Sequence, residues 1–192
     1  MADHPTINTV TLRDAFINAA AFRTRKVPLS IRIAKRESTL EIISTDGVGL
    51  LRQKLDIVDG TDSNDWTFWT STIPTIPRVS SLTTLEPISD GLRIQTNNTS
   101  EVLASDAYAE RNFDPLFTNH TETEAASIAL APVILTALGK LKFTLAKKES
   151  PGIRFSFNGP KSAVYFIEQV REPRIDGFFM PLRSLLEWRV RP

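Results

Sequence analysis

The sequence has no cysteine among its 192 residues. Disulfide bridges, zinc–thiolate sites and thiol nucleophiles are therefore excluded, and the absence is compatible with a reducing cytoplasm. Histidine is nearly as scarce, because only His4 and His120 are present. Two isolated histidines give little support to a metal site or to a histidine-based catalytic triad. We expect a protein without cofactors.

Long apolar runs are also missing. No stretch approaches the roughly 20 apolar residues that a transmembrane helix needs. The first ten residues have no apolar core behind a basic start, so they do not look like a signal peptide. The sequence therefore predicts a soluble, cytoplasmic protein with no membrane partner.

An excess of one charge is absent as well, since 23 Lys and Arg residues stand against 22 Asp and Glu residues. A surface for nucleic acid would have to arise from local segregation of charge. Four aspartates recur at every third residue of one connector, at Asp56, Asp59, Asp62 and Asp65. This is not the spacing of a calcium-binding EF-hand loop, and it favours a solvated acidic loop. Gly47 and Gly49 lack the third glycine of a dinucleotide fingerprint. An enzyme that uses scattered carboxylates is a minor alternative.

The residues that are present form three similar units, each with a short strand, a short helix and several further strands. The units span about residues 6–60, 65–116 and 127–183. The pattern predicts an α+β fold.

In the first unit, one helical stripe consists of Leu12, Ala15, Phe16 and Ala19. Alternating apolar residues predict strands at 29–35, 39–44 and 48–57. In the second unit, aromatic and β-branched residues predict a strand at 66–70. A short helix is predicted from Pro74, with a weak stripe of Ile76, Val79 and Leu82. A hairpin of strands 92–96 and 101–105 follows, around a turn at residues 97–98, and residues 107–123 have the pattern of a connector.

The third unit begins with a predicted strand at 128–131 and a helix from Pro132. Its apolar stripe consists of Ile134, Leu135, Leu138 and Leu141. Strands are predicted at 143–147, 153–157, 163–167 and 177–182, with a turn at residues 158–160.

Several segments resemble the bacterial DNA polymerase III β subunit type of sliding clamp. In the third unit, "ALAPVILTALGKLK", "IRFSFNGPKSAVYFI" and "DGFFMPLR" follow the order of the C-terminal unit of that family, which ends in a strand of the "MPMR" kind. The first unit is similar through "LEIISTDGVGLLRQKLDI", and "ERNFDPL" resembles the connector that leaves the first domain. The resemblance implies the DNA clamp fold, with tandem βαβββ units, helices lining a ring and sheets outside. Because units of that family pair within a domain, it also implies a clamp-like domain of the first two units, residues 1–118. The third unit would then form half a domain with a C-terminal tail, residues 119–192.

Two features depart from the family pattern. First, family chains contain six such units, whereas this chain has three. Second, residues 184–192 extend beyond the point where family chains usually end. A short viral clamp, for example one encoded by a phage, or an otherwise divergent clamp would explain both departures. Family rings contain twelve units, so four copies of this chain would restore the number, and we predict a homotetramer.

The resemblance implies a processivity factor that encircles double-stranded DNA without reading its sequence and has no catalytic activity. Such a protein needs basic residues that touch phosphates weakly. The DNA-facing candidates are Arg13, Arg23, Arg25, Lys26, Arg78, Lys140, Lys142, Lys147 and Lys148. Each of them could equally be an ordinary solvated surface charge.

The resemblance also implies an apolar pocket near the final strand, where peptides of the DNA polymerase and the clamp loader dock. By position, its residues would be Phe178, Met180, Pro181 and Leu182, although ordinary core packing would also explain them. Two other functions stay open: a β-rich structural or scaffold oligomer of a virion, and a clamp-like regulator of transcription. A central hole in the assembly would separate the clamp from the structural protein.

Overall fold

A computed structural model describes residues 4–21, 29–46, 49–60, 64–97, 99–106, 113–118, 132–142, 152–157, 163–168 and 174–179. Within these residues the chain forms three helices and eleven strands. In chain order they are β1 (Thr6–Asn8), α1 (Thr9–Ala19), β2 (Ser30–Arg36), β3 (Thr39–Thr45), β4 (Gly49–Asp56), β5 (Trp66–Thr70), β6 (Leu82–Ile88), β7 (Gly91–Thr96), β8 (Thr99–Ala104), α2 (Asp114–Thr118), α3 (Pro132–Gly139), β9 (Ile153–Phe157), β10 (Val164–Glu168) and β11 (Ile175–Phe179).

The strands pair in two antiparallel sheets. One sheet has four strands in the order β1-β6-β7-β8, and the other has seven in the order β5-β2-β3-β4-β11-β10-β9. The α+β composition agrees with the prediction. The hairpin predicted around residues 97–98 is confirmed as β7 and β8, and β5 has the predicted bounds.

The first two units interlock by exchanging a strand. The opening strand of the first unit, β1, pairs with β6 of the second, while β5 of the second unit pairs with β2 of the first. The helix α1 lies in the core that results, with its predicted stripe buried and packed against residues of both sheets. Asn8 caps this helix, because its side-chain oxygen accepts hydrogen bonds from the N–H groups of Val10 and Thr11.

The helix predicted in the second unit is wrong. Residues 71–81 are not helical, and β6, which the sequence patterns did not indicate, follows them. Pro77 would fall in the fourth helical position after a start at Pro74, where its ring removes a hydrogen bond and clashes with the preceding turn. Each proline also disfavours helical backbone in the isoleucine before it. Ile76 is buried, but Val79 and Leu82 are exposed.

The helix α3 begins at Pro132 as predicted. Three members of its predicted stripe are buried, whereas Leu135 is 55% exposed. The residue that completes the buried arc is Ala137, because positions 134, 137, 138 and 141 repeat at helical spacing and position 135 is turned about 100° away.

The third unit is joined to the first unit by a continuous sheet. Its strand β11 pairs with β4, with Gly177 opposite Leu51. Strand β9 has its predicted bounds, β10 is shifted by one residue, and β11 begins two residues before the predicted strand. The strands predicted at 128–131 and 143–147, and the turn at 158–160, lie outside the described residues. The domain boundary at residue 118 stays a prediction.

Candidate nucleic-acid and partner interfaces

The seven-stranded sheet has two covered faces, and strand β4 shows how they differ. Leu51 and Leu55 point toward the helices, because Leu55 packs with α1 and Leu51 with α3. Leu50 points the other way, into a separate cluster with the segment that carries α2. We call these the helix face and the outer face. The alternation follows from the two-residue period of a strand.

A buried polar network connects the two helices on the helix face. The side-chain amide of Asn18, which is 1% exposed, donates to Gln53 Oε1 at 2.8 Å and to the carbonyl oxygen of Lys142 at 2.9 Å. In return, the backbone N–H of Lys142 donates to Asn18 Oδ1 at 2.5 Å. Gln53 Nε2 donates to the carbonyl oxygen of Ala15 at 2.8 Å. The end of α1 and the segment after α3 are therefore held side by side, each polar group with a partner.

This network holds the backbone of Lys142, one of the predicted DNA-facing residues. Lys140 and Lys142 are both exposed and directly follow α3. Arg13 lies on α1, and its guanidinium is 3.4 Å from the carboxylate of Asp14, which offsets part of its charge. Arg78 is exposed, but it lies on the extended segment before β6 rather than on a helix. The remaining candidates are outside the described residues; they are Arg23, Arg25, Lys26, Lys147 and Lys148.

Two arginines organise the outer face. Arg32 Nη2 donates to Glu41 Oε1 at 2.7 Å and to Asp114 Oδ1, on α2, at 2.5 Å. Arg52 makes a two-pronged contact with Asp176, through Nε at 2.9 Å and Nη2 at 2.6 Å. Burial opposes the charge on both guanidinium groups, but these carboxylate hydrogen bonds outweigh it and raise the pKa of each arginine. Both arginines therefore remain charged on a largely covered surface.

The pKa values of an acidic and a phenolic neighbour are also shifted, in opposite directions. The hydrogen bond from Arg32 lowers the pKa of Asp114 below its ordinary value. Tyr165 donates its hydroxyl to Asp176 Oδ2 at 2.8 Å. Burial, reinforced by the charge of Asp176, raises the pKa of the Tyr165 phenol well above its ordinary value.

Of the four predicted pocket residues, Phe178 lies on this outer face and is 7% exposed. Its ring centroid is 5.0 Å from that of Tyr165 and 5.3 Å from that of Phe117. Met180, Pro181 and Leu182 lie outside the described residues. Sequence reasoning missed Phe117 and Tyr165, because Phe117 belongs to a segment with no periodic pattern and Tyr165 alternates with core residues like any strand residue.

The described residues contain neither a metal-binding cluster nor a membrane-spanning helix. Among them, no three His, Asp or Glu side chains converge as metal ligands would. The helices in the described segments are too short or too polar to cross a bilayer. Two aspartates of the predicted acidic connector make separate contacts. Asp56 binds Arg174 at 2.6 Å, whereas Asp65 accepts a hydrogen bond from the backbone N–H of Glu37 at 3.0 Å.

No protein-family model matches the sequence, and a search of curated proteins gives no significant match. Solved structures do match. The DNA polymerase sliding clamp of Pseudomonas aeruginosa superposes with a TM-score of 0.68 at 12% identity, covering 93% of this chain and 66% of that one. The DNA polymerase III β chain of Streptococcus pneumoniae gives 0.64 at 13% identity, covering 96% and 66%. The Bacillus subtilis sliding clamp gives 0.62 at 14% identity, covering 94% and 64%.

The chain therefore has the fold of a DNA sliding clamp. The clamps that it resembles are those of bacterial DNA polymerase III, as the sequence segments indicated, and the predicted fold is confirmed. At 12–14% identity to these three clamps, the likeness is one of fold. The chain spans 64–66% of the length of these clamps.

Proposed function

We propose that the chain is a sliding clamp, a processivity factor that encircles duplex DNA without sequence specificity and tethers replication proteins in the cytoplasm of a bacterium or of a phage-infected host. The observation that carries the proposal is the clamp fold over nearly the whole chain. The function is mechanical retention on DNA, so the proposal includes no catalytic step and no cofactor.

The helix face is the surface that we assign to DNA. Lys140 and Lys142 are exposed there, and the Asn18 network holds the backbone of Lys142 beside the end of α1. Lysines held at this position can touch phosphates without contacting bases, which is what binding without sequence specificity requires. The outer face is the surface that we assign to partner peptides of the polymerase and the clamp loader, around Phe178.

The assignment of the DNA face is tested by the salt dependence of binding to duplex DNA. Replacing Lys140 and Lys142 together by glutamine removes two phosphate contacts, so the slope of log affinity against log salt should fall by about 2. Lys54 is the matched control, because it is also exposed but lies on the opposite face of the sheet, on the same side of β4 as Arg52. K54Q should leave the slope unchanged.

Retention on circular DNA gives the second readout. Wild-type protein should dissociate more slowly from circular duplex than from linear duplex of the same sequence, because a ring can slide off an end. A K140Q/K142Q variant with the same salt slope as the wild type would place DNA elsewhere. Equal residence on circular and linear DNA would argue against encirclement and favour a structural oligomer.

A further inference from the structure

The helix α2 lies directly over the surface that we assign to partner peptides, and this inference rests on that assignment. The ring of Phe117 covers Phe178, and the guanidinium carbon of Arg52 lies 3.9 Å from the centroid of the same ring. Just before the helix, the ring centroid of Phe113 lies 6.1 Å from the ring centroid of Trp69. Together with the ion pair of Asp114 to Arg32, these contacts hold residues 113–118 against the outer face.

The two arginines beneath α2 have carboxylate partners that do not belong to α2. Arg32 retains Glu41, and Arg52 retains its two hydrogen bonds to Asp176. Removing one partner of a buried ion pair is costly when it leaves an uncompensated charge. Departure of α2 would leave neither arginine in that state, so α2 can leave without breaking the polar framework of the sheet.

The contact of Arg32 with α2 is also incomplete. Glu41 and Asp114 both accept from the same nitrogen, Nη2, while the buried Nε of Arg32 has no acceptor among the described residues. The Asp114 side chain is itself 57% exposed. A guanidinium can hold a carboxylate through two parallel hydrogen bonds, so a carboxylate approaching Nε would satisfy a donor that α2 leaves unused.

The apolar part of the same surface has to be covered by something. Ile43, Leu50 and Phe178 form a small cluster that is closed off by Phe113, Phe117 and Tyr165. An exposed cluster of this kind is unfavourable in water. A second peptide that supplies an aromatic ring to Arg52 and Phe178 would replace the cover that Phe117 provides.

We infer that residues 113–118 are an internal occupant of the partner-peptide site, and that a docking peptide must displace them. The displacing peptide carries the same two groups as α2. They are a carboxylate that binds Arg32 and, three residues later, an aromatic ring that packs against Arg52 and Phe178. A partner can bind only when residues 113–118 have left the site. The apparent affinity for partners is therefore reduced in proportion to the fraction of molecules in which the site is open.

The test uses the chain's own segment as a peptide added in trans. A fluorescently labelled peptide of residues 111–120 is titrated onto the wild type and onto a D114N/F117A variant. The variant has lost the Asp114 and Phe117 contacts of α2, so the peptide should bind it at least tenfold more tightly than it binds the wild type. D56N is the matched control, because Asp56 is a carboxylate of the same sheet face that contacts Arg174 and not α2. A peptide carrying the same two substitutions should not bind.

Hydrogen exchange separates the possible results. Release of α2 should raise exchange in Ile175–Phe179 of the variant, and the added peptide should restore protection. Equal peptide affinity for the variant, the control and the wild type would overturn the inference. Release of α2 without any peptide binding would also overturn it, because the segment would then be only a structural cover.

Two further measurements keep the outcomes distinct. D114N alone removes the charge of a half-exposed side chain, so it tests displacement even if the double variant does not fold. Duplex DNA binding uses the opposite face and should be unchanged in D114N/F117A. Loss of DNA retention by the wild-type protein would therefore reject the clamp function, whereas loss of trans-peptide binding would reject only the displacement.

Discussion

Asp176 forms hydrogen bonds with two side chains of the outer face at once. Its carboxylate accepts two hydrogen bonds from Arg52 and one from the hydroxyl of Tyr165, and it is largely buried. Replacing it with asparagine removes the charge that Arg52 needs, which should lower the free energy of unfolding by about 2–4 kcal/mol. Urea denaturation measures the change.

The control for D176N is an ion pair of similar length on the surface. Glu86 lies 2.6 Å from Arg93, and the side chains of Arg93 and Glu86 are 40% and 29% exposed. E86Q should cost less than about 1 kcal/mol, because solvent screens an exposed pair. Equal costs for the two variants would show that the Arg52–Asp176 pair contributes no more than a surface contact.

Tyr165 gives a prediction about alkaline pH. Its pKa is raised in the folded protein, so an unfolded chain releases this proton near its ordinary value of about 10 while the folded chain keeps it. The contribution to stability is therefore present below about pH 10 and is lost as the pH rises further.

Ultraviolet titration of phenolate absorbance checks this prediction. The sequence has two tyrosines, and the variant Y108F leaves Tyr165 as the single signal. We expect no phenolate signal near pH 10 in the folded variant and a normal one in denaturant. A normal titration in the folded protein would contradict the half-buried hydrogen bond to Asp176.

At the scale of elements, the seam between β4 and β11 decides how the third unit joins the first. Gly177 allows this close approach, because a Cβ there would overlap the carbonyl oxygen of Leu50 and lie 2.9 Å from the ring of Phe166. G177A should therefore destabilise the protein by about 3 kcal/mol, or prevent the seam from forming.

Gly139, the last residue of α3, is the matched control. A Cβ at this position has no neighbouring atom within 4 Å. G139A should raise the free energy of unfolding by about 0.5–1 kcal/mol, because alanine reduces the freedom of the unfolded chain. Chemical denaturation of both variants makes the comparison, and a G177A variant as stable as G139A would exclude the described β4–β11 pairing.

At the scale of the whole molecule, the described part of each sheet ends at a strand with one partner. In the described part of the chain, β8 has β7 as its single partner and β9 has β10. Free edges favour pairing with another chain unless they are blocked, and closed symmetric assemblies remove them. We expect a species of four chains, each of 21.4 kDa, as the count of twelve units predicts.

Light scattering measures the mass, and one charge substitution tests the contact. Val102 is 50% exposed on the edge strand β8, so V102K should shift the protein to smaller species, since lysine on an edge discourages strand pairing. V58K is the control, because Val58 is 60% exposed but lies outside the strands. A wild-type protein that stays a monomer or dimer with DNA present would contradict the twelve-unit ring.

Local sequence determined much of the secondary structure of this protein. The stripe of α1, the bounds of β5 and β9, and the hairpin of β7 and β8 all follow from periodicity and turn residues, which act within a few positions. The same reasoning failed where two local preferences compete. The apolar spacing of residues 76–82 favours a helix, but the paired prolines at 74 and 77 exclude it and leave an extended segment.

Only the tertiary structure decided which elements meet. Periodicity reports that Leu51 and Phe178 are buried, but not that one packs under α3 and the other under α2. The strand exchange of β1 and β5, the β4–β11 seam and the placement of α2 join residues that are far apart in sequence. Their partners are selected by the fit of whole surfaces, including the close approach at Gly177 and the paired charges at Arg32 and Arg52. That fit is a property of the assembled sheets, so no local stretch of sequence contains it.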